Sequence, residues 1–305
     1  MIKTPLRYPG GKSKVAEYLV GLFPEYKEYR EPFLGGGSVF LAAMQKNPDA
    51  QFVVNDLYYD LFCFWSCMMS EPDIVVEHVK KVKEFYSGKF GNILYKDTLK
   101  DLDKKRQSDA FWVAADFFIL NRITFSGTSL SGGYSEESYR KRFTESSIER
   151  LEECGEYLHG LDTIKFTPDY VGGKGIITNN DFSVTLTQQT AGILEKSVDD
   201  DDVFVFLDPP YYSAENSALY GENGDLHKGF DHIRLKECLD DCKFKFLMTY
   251  DDCEYIRNLY KGYYIIPLEF SYGMRNVSKD ADMKGREIII SNYKIKDNSK
   301  SIELF

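Results

Sequence analysis

The sequence lacks any hydrophobic stretch of the roughly 18 to 20 residues that a membrane-spanning helix requires. Its first residues, from Met1 to Pro5, lack the apolar segment of a secretory signal peptide. There is no internal repeat and no low-complexity linker. The 305 residues are 43% hydrophobic and 15% aromatic, which excludes a disordered chain. We therefore expect a folded protein of the cytoplasm that has no membrane association.

Basic residues are in the minority. The chain has 38 Lys and Arg against 48 Asp and Glu, and its net charge is −10. This balance argues against a protein whose whole surface contacts nucleic acid. It leaves open a basic groove confined to one part of the surface.

The six cysteines lack the arrangement of a structural zinc site. Cys63 and Cys67, like Cys238 and Cys242, have the four-residue spacing of one helix face. A zinc site would need further Cys or His ligands at suitable spacing. We therefore expect no metal and interpret the cysteines as reduced thiols of the core.

The first 60 residues alternate helix and strand patterns. Ser13–Leu22 has a helical period that Pro24 ends, and Glu31–Gly37 is predicted as a strand that runs into glycines. A helix over Ser38–Gln45 and a strand at 51–54 follow. This order predicts the βαβ start of an open α/β sheet.

The middle of the chain is mainly helical. The stretches Leu57–Phe90, Ser108–Phe118 and Ser146–Leu158 have helical patterns, and the continuous β-branched runs of a buried parallel sheet are missing. We predict a core interrupted by an insert. The chain then divides into residues 1–57 (first part of the core), 58–165 (insert) and 166–305 (second part of the core).

Strand patterns resume late in the chain. Val203–Leu207 is a continuous apolar run, typical of a strand buried on both faces, and Phe244–Met248 is another. Helices are predicted at 231–241 and 252–260. The stretches at 263–270 and 287–293 are predicted to pair as antiparallel strands. The predicted fold is therefore α/β, Rossmann-like, with an open and mostly parallel sheet that has an antiparallel closing strand.

The segment from Tyr8 to Ser13 includes Gly11-Lys12-Ser13, the end of a phosphate-binding P-loop pattern. That pattern needs a glycine where this chain has Leu6, and it needs a preceding strand, which Pro5 and Pro9 disfavour. What remains is a turn that opens a helix beside a cation. Such a turn can hold an anionic group such as a carboxylate, or it is a plain helix entry.

A glycine cluster spans Glu31 to Phe40, at the junction between a strand and a helix. It begins like the G-x-G-x-x-G nucleotide motif, but Phe40 stands at the third glycine. Asp56 follows about 20 residues later, at the end of the next strand, where a carboxylate accepts ribose hydroxyls. Together these features favour an adenosine-bearing cofactor. The missing glycine weakens the interpretation as an NAD site.

The most informative motif is Asp208-Pro209-Pro210-Tyr211, directly after the predicted buried strand. Two prolines donate no backbone N–H and hold the chain extended. The Asp208 carboxylate and the Pro209 carbonyl are then two acceptors beside an aromatic ring, at the strand ends where α/β sheets bind ligands. Such a set suits a planar group with an –NH2, such as a nucleobase amine.

These motifs carry a resemblance that spans nearly the whole chain. Tyr8–Lys12, Glu31–Phe40, Asn55-Asp56 and Leu207–Tyr211 occur in this order in the Dam-like DNA adenine N6-methyltransferases, which use S-adenosylmethionine. The segment 121–127 is similar to the family's target-recognition region, and 287–293 to its closing strand. The stretch 128–139 differs from members specific for GATC, so that specificity is not carried over.

The resemblance implies a set of cofactor contacts. Tyr8 and Lys12 would contact the methionine end, Asp56 the ribose, and Asp181 with Phe182 the adenine. The cofactor-binding residues implied are Tyr8, Pro9, Gly10, Gly11, Lys12, Pro32, Phe33, Gly35, Gly37, Ser38, Asp56, Leu57, Asp181, Phe182 and Asp208.

For catalysis, the resemblance implies that Asp208, Pro209, Pro210 and Tyr211 act on an adenine flipped out of double-stranded DNA. The insert would be the target-recognition region. The DNA-binding candidates are Arg122, Ser126, Arg140, Lys141, Arg142, Arg275 and Lys279, with Lys284 and Arg286 in the same late segment. Each lone charge could equally be a solvated surface residue. We expect a monomer or weak dimer and a possible cognate restriction endonuclease.

Other functions remain open. Methyltransferases of cytosine N4 or of protein glutamine more often have Ser or Asn where Asp208 stands. A non-catalytic DNA-binding or cofactor-sensing protein could use the same fold, although the intact Asp208–Tyr211 motif disfavours it. The third alternative is the NAD enzyme that Phe40 disfavours.

Overall fold

The computed structural model describes residues 1–88, 90–100, 102–127, 130, 132–161, 174–187, 190, 193–194, 196–214, 229–268 and 287–295. Seven strands of this part form one sheet. They are β1 (Glu28–Glu31), β2 (Gln51–Asn55), β3 (Gly175–Thr178), β4 (Val203–Leu207), β5 (Lys245–Asp251), β6 (Tyr264–Leu268) and β7 (Glu287–Ser291).

The strand order is β3-β2-β1-β4-β5-β7-β6. Strands β3, β2, β1, β4 and β5 are parallel to their neighbours. Strand β7 lies antiparallel between β5 and β6. This confirms the predicted α/β fold with its mostly parallel sheet and antiparallel closing strand. The order reverses between β1 and β4, and in open α/β sheets ligands bind outside the carboxyl ends of the strands at such a point.

Twelve helices lie in the described residues. They are α1 (Ala16–Gly21), α2 (Ser38–Lys46), α3 (Tyr59–Ser70), α4 (Pro72–Phe85), α5 (Gly91–Leu99), α6 (Leu102–Ser108), α7 (Ala110–Ile123), α8 (Glu136–Arg142), α9 (Glu145–His159), α10 (Phe182–Thr187), α11 (His232–Asp240) and α12 (Glu254–Leu259).

Three sequence-based assignments differ from the structure. The strand predicted at Glu31–Gly37 is wrong in its bounds, because β1 ends at Glu31 and the following Pro32 and glycines form a loop. Strand β3 was not predicted, since four residues carry too weak a pattern. The stretch 57–90, predicted as mostly helical, consists largely of two helices that divide before Pro72, which begins α4 as its first residue, a position that proline favours.

The central strands are buried because the sheet has hydrophobic layers on both faces. On one face Phe40 and Phe52 belong to the same core cluster as Phe64, Trp65 and Phe118 of α3 and α7. On the other face β4, β5 and β7 pack with α10, α11 and α12. Helices α3 and α7 of the segment predicted as an insert therefore share a core with the sheet. The division at residues 57 and 165 stays a prediction.

The positions of the cysteines are consistent with this core. All six cysteines are free thiols, and Cys63, Cys67 and Cys154 are buried. Among the described residues, no group of three or more His, Cys, Asp or Glu side chains is arranged to hold a metal ion. None of the helices in the same residues has the length and hydropathy needed to cross a membrane.

Gly175 in β3 offers a test of the packing between the sheet edge and its core. A Cβ at this position would collide with the ring of Phe52, which is fully buried. We expect Gly175→Ala to lower the free energy of unfolding by about 1 to 3 kcal/mol, the usual cost of overpacking, in urea titrations. Gly262→Ala is the matched control, because nothing lies within 4 Å of its added Cβ. Equal stability of the two variants would contradict the packing of β3.

Candidate active site at the carboxyl edge of the sheet

A cavity of about 440 Å³ opens at the carboxyl ends of β1 and β4, where the strand order reverses. Three segments line most of it: residues 8–12, residues 31–39 and residues 208–211. Asp56, Leu57, Asp181 and Phe182 also line it, together with Asn55, Phe206, Arg234 and residues 229–231. Every residue predicted from the sequence to bind the cofactor or act in catalysis therefore lies on this one cavity. Their individual roles stay predictions.

The glycine loop after β1 is shaped by two aromatic rings. Gly35 and Gly37 have φ angles of +49° and +65°, a region that glycine adopts without strain. A Cβ on Gly37 would lie 2.5 Å from the Trp65 ring, and one on Gly35 would lie 3.0 Å from the Tyr8 ring. The indole Nε1 of Trp65 donates to the Gly35 carbonyl over 2.9 Å. The loop thus presents bare backbone to the cavity.

Asp56 fixes this loop to the end of β2. Its carboxylate accepts the Gly35 N–H at 2.8 Å and the Tyr58 N–H at 2.9 Å. Burial nevertheless raises the pKa of Asp56 to about 6, and the two backbone hydrogen bonds oppose that rise. A buried carboxylate at the end of a strand is well placed to accept hydroxyl groups of a ligand.

An ion pair joins Lys12 to Asp208. The Lys12 Nζ lies 2.9 Å from each oxygen of the Asp208 carboxylate and donates to the Gly10 carbonyl over 3.1 Å. It also lies 3.8 Å from Glu287 Oε2 and 5.0 Å from the centre of the Tyr211 ring. The Lys12 side chain is 4% exposed and that of Asp208 22%. Asp208 therefore faces the cavity as an acceptor of N–H groups.

Tyr211 closes this part of the wall. Its ring stacks on Tyr250 with a centroid distance of 5.8 Å and an interplanar angle of 25°. Burial, followed by the charges of Asp208 and Glu287, raises the pKa of Tyr211 well above its usual range. The phenol therefore stays neutral at physiological pH, which suits an aromatic surface for a planar ligand.

Sequence reasoning missed three charged residues of the site. Glu31 is buried on the cavity wall and accepts the Tyr29 hydroxyl over 2.6 Å. Burial raises its pKa well above the usual range, and the charges of Asp208 and Asp56 add to this rise. Glu287, at the start of β7, approaches Lys12. Sequence patterns identify Glu31 only as the first residue of a predicted strand and of the glycine-cluster motif, and Glu287 only as part of the closing strand, and they give neither a role in the site.

The third missed residue is Arg234 of α11. Its guanidinium donates to both carboxylate oxygens of Asp181, at 2.9 and 2.6 Å, and lies 4.8 Å from the centre of the Phe182 ring. The hydrogen bonds from Arg234 hold the pKa of Asp181 well below its usual range. No motif in the sequence connects α11 with Asp181, so only the fold reveals the pair.

Arginines from three segments gather beside the cavity segment 8–12. Arg122 of α7 is 4% exposed, and within the described part of the chain its Nε has no hydrogen-bond partner. Burial lowers its pKa to about 9, and the positive charges of Arg7, Arg150 and Arg142 lower it further. We call Arg7, Arg122, Arg142 and Arg150 the arginine cluster. The positive charges of this cluster suit an anion.

The side chain of Asn121 joins the backbone of Arg7 to the segment that follows α7. It accepts the Arg7 N–H at 2.9 Å and donates to the carbonyls of Arg7 and Gly127 at 2.7 and 2.9 Å. Between these residues Ser126 has a φ of 55°, which is uncommon for a residue with a Cβ. The neighbouring Phe125 is 67% exposed. The predicted recognition segment is thus held against the edge of the site.

The remaining DNA-binding candidates are not part of the arginine cluster as defined. Arg140 and Lys141 form exposed ion pairs with Glu136 and Glu137 along α8. Arg275, Lys279, Lys284 and Arg286 lie outside the described residues. The structure therefore groups Arg122 and Arg142 with two arginines that the sequence had not singled out.

Comparisons with known proteins give a consistent result. Residues 8–170 and 176–274 match the family described as "D12 class N6 adenine-specific DNA methyltransferase". The "DNA N-6-adenine-methyltransferase" of Escherichia phage P1 is 26% identical over 294 residues, which cover 92% of this chain and 34% of the phage protein. The chain thus spans about a third of the length of that relative.

Two further relatives have different lengths. The "Type II methyltransferase M1.LlaDCHI" of Lactococcus lactis subsp. cremoris is 24% identical over 307 residues, and the match covers 94% of each protein. The "DNA adenine methylase" of Vibrio cholerae serotype O1 is 30% identical over 151 residues, 47% of this chain and 51% of that protein. These matches include relatives of both phage and cellular origin.

The raised pKa of Asp56 predicts a pH-dependent stability. A carboxyl whose pKa is higher in the folded protein favours folding while it is protonated. That contribution is complete below the ordinary pKa of 3.8 and is lost as the pH rises through about 6, which corresponds to roughly 3 kcal/mol. Asp56→Asn removes the titration, so its stability relative to the wild type should rise between pH 4 and pH 7.

Urea titrations at several pH values between these limits measure the difference. Asparagine keeps one of the two acceptor oxygens, so the loss of one backbone hydrogen bond adds an offset to the variant and leaves the slope with pH unchanged. A stability difference that is the same at every pH would contradict a buried, protonated Asp56.

Proposed function

The chain belongs to the D12 class of N6 adenine-specific DNA methyltransferases, and from this membership we propose its reaction, donor and residue roles. It transfers a methyl group from S-adenosylmethionine to N6 of an adenine flipped out of double-stranded DNA. The observation that carries the proposal is the Asp208 carboxylate, which binds an ammonium group at the wall of the cavity formed by the glycine loop. The family match and the relatives confirm the predicted resemblance to the Dam-like family.

The cavity fits the proposed donor in size and in donor and acceptor groups. A volume of about 440 Å³ is in the range of small-molecule sites. Lys12 offers a positive charge and Glu31 a buried carboxyl group for an amino-acid end, and Asp56 offers acceptors for ribose hydroxyls. The rings of Phe33 and Phe182, 5.6 Å apart, offer an apolar surface for a base. When bound here, S-adenosylmethionine supplies an activated methyl group.

Asp208 and the Pro209 carbonyl accept the two N–H groups of the adenine amine. These hydrogen bonds favour a nitrogen whose lone pair is withdrawn from the ring and aimed into the cavity. In the structure, Lys12 donates to the same carboxylate. The adenine amine therefore binds to an acceptor that already accepts N–H groups. The increase in the rate of methyl transfer comes from orientation and electrostatics, both of which lower reaction barriers. Tyr211 provides the ring against which the base stacks.

Within the described ranges, the arginine cluster is a part of the surface that suits the DNA backbone. A guanidinium with positive neighbours is stabilised by a phosphate. Exposed Phe125, next to the strained Ser126, presents an aromatic ring at the same edge. Phosphate contacts set the position of the protein on the duplex, so we assign the arginine cluster this role. Arg140, Lys141, Arg275 and Lys279 remain candidates for further contacts.

The partner, oligomeric state and location of the protein are further expectations from the same proposal. One relative is named a type II methyltransferase, and a cognate restriction endonuclease stays a prediction for this chain. So do a monomeric or weakly dimeric state and a place in the cytoplasm. Adenine-specific DNA methylation is the activity from which these expectations are derived.

The proposed function is tested with purified protein, S-adenosylmethionine and unmethylated DNA. We expect N6-methyladenine, measured by mass spectrometry of the digested DNA. Asp208→Ala should lower the rate at least a hundredfold, since it removes the group that orients the amine. Its unfolding transition is the control for an intact fold. No methylation by the folded wild type, or a wild-type rate for Asp208→Ala, would contradict the proposal.

The role of the arginine cluster is tested through the salt dependence of DNA binding. Arg142 is exposed at the end of α8, so Arg142→Gln should leave the fold intact. We expect weaker binding, and a slope of log Kd against log salt concentration that falls by about one, measured by fluorescence anisotropy.

Lys27→Gln is the matched control for this experiment. Lys27 is exposed and lies just before β1, at the opposite edge of the sheet from the cavity. It should bind DNA as the wild type does. The assignment fails if both variants have the wild-type slope.

A further inference from the structure

The end of strand β5 contacts the catalytic segment Asp208–Tyr211 without lining the cavity. Thr249 is fully buried, and its Oγ1 donates to Asp208 Oδ1 over 2.7 Å. Strands β4 and β5 pair in parallel with Leu207 opposite Met248. The next residue of each strand is therefore Asp208 and Thr249. The hydrogen bond is thus a direct consequence of the strand register.

Two residues further along, Asp251 holds the chain that follows Tyr211. Its Oδ1 accepts the Tyr212 N–H and its Oδ2 accepts the Ser213 N–H, each at 3.0 Å. The preceding prolines donate no N–H, so backbone hydrogen bonds of this kind cannot fix positions 209 and 210. Asp251 is 7% exposed and ties down the segment just beyond them.

Tyr250 lies between these two residues and stacks on Tyr211. Three consecutive residues of β5 therefore hold three successive parts of the catalytic segment. None of the three was singled out from the sequence, because the motif itself ends at Tyr211. Their contacts follow from the pairing of β4 with β5.

We propose that Thr249 and Asp251 are positioning residues that fix the direction of the Asp208 carboxylate and of the chain after Tyr211. This inference rests on the proposed function. Thr249 engages Oδ1 from within the sheet, and this fixes the rotation of the carboxylate about its Cβ–Cγ bond. The carboxylate is then held between Thr249 and Lys12, whose Nζ lies 2.9 Å from both oxygens.

Without the Thr249 hydroxyl, Lys12 is the remaining strong partner of Asp208 among the residues that the structure describes. It lies 2.9 Å from both oxygens and does not define one rotation of the carboxylate. A carboxylate turned away from its productive direction holds the amine poorly during the reaction, and misplacement of about 1 Å can lower a rate a hundredfold. Binding of donor and DNA depends on other groups and should change little. The expected signature is therefore a loss in kcat without a matching change in KM.

The test uses Thr249→Val, which keeps the shape of the side chain and removes the hydroxyl. We expect kcat for methylation to fall about 10- to 100-fold, with the KM values for S-adenosylmethionine and DNA within about threefold of the wild type. Thr249→Ser, which restores the hydroxyl, should recover most of kcat.

Thr98→Val is the matched control. Thr98 is equally a buried threonine, and its hydroxyl donates to the Leu94 carbonyl within α5 at 2.8 Å. This variant loses one buried hydrogen bond far from the catalytic segment in the chain. It should keep the wild-type kcat, which separates a general loss of stability from a loss of positioning.

Asp251→Asn is the second variant, and it keeps the side-chain shape while one of the two acceptors becomes a donor. It should also lower kcat more than KM. Wild-type kcat in both Thr249→Val and Asp251→Asn overturns the inference, as does a failure of Thr249→Ser to recover activity in a folded protein. Absence of methylation by the wild type would instead overturn the proposed function.

Discussion

The parallel pairing of β1 with β4 is the constraint on which the rest of the site depends. It brings the glycine loop after Glu31 next to Asp208, although the two segments are far apart in the chain. Lys12 then reaches Asp208 from the turn before α1. Strand β5 pairs with the other side of β4, and its Thr249 donates a hydrogen bond to Asp208. The order of the strands thus brings together the acceptors of Asp208, the Lys12 cation and the glycine loop. Few of these contacts lie within a single motif.

Much of the site could be predicted because its motifs are continuous in sequence. Asp208–Tyr211 and the glycine loop each follow a strand directly, so strand pattern and residue type together locate them. Glu287 and Thr249 belong to strands whose pairing register cannot be predicted from their own residues. Arg234 of α11 contacts Asp181, which lies just before α10, so this contact also depends on the fold. The same reasoning explains the fold. Long apolar runs such as Val203–Leu207 are recognisable, whereas four-residue β3 depends on pairing with β2.

The net charge of −10 is compatible with a DNA partner because charge is distributed unevenly. Three acidic residues, Asp200 to Asp202, immediately precede β4 and lie at the amino edge of the sheet. The arginine cluster lies near the opposite edge, where Asn121 joins residue 7 to α7. Composition averages over the whole surface, so it could not reveal this separation. The local positive charge is made by residues from distant segments, at the edge where the cavity opens.

The central claim is that this cavity methylates adenine in DNA at defined sequences. The most direct measurement is a single-molecule sequencing map of N6-methyladenine in a host without adenine methylation of its own, with and without expression of the chain. The account predicts methylated adenines in one recurring sequence context that appear only with expression. Folded, soluble protein in the cell together with DNA free of N6-methyladenine would contradict it.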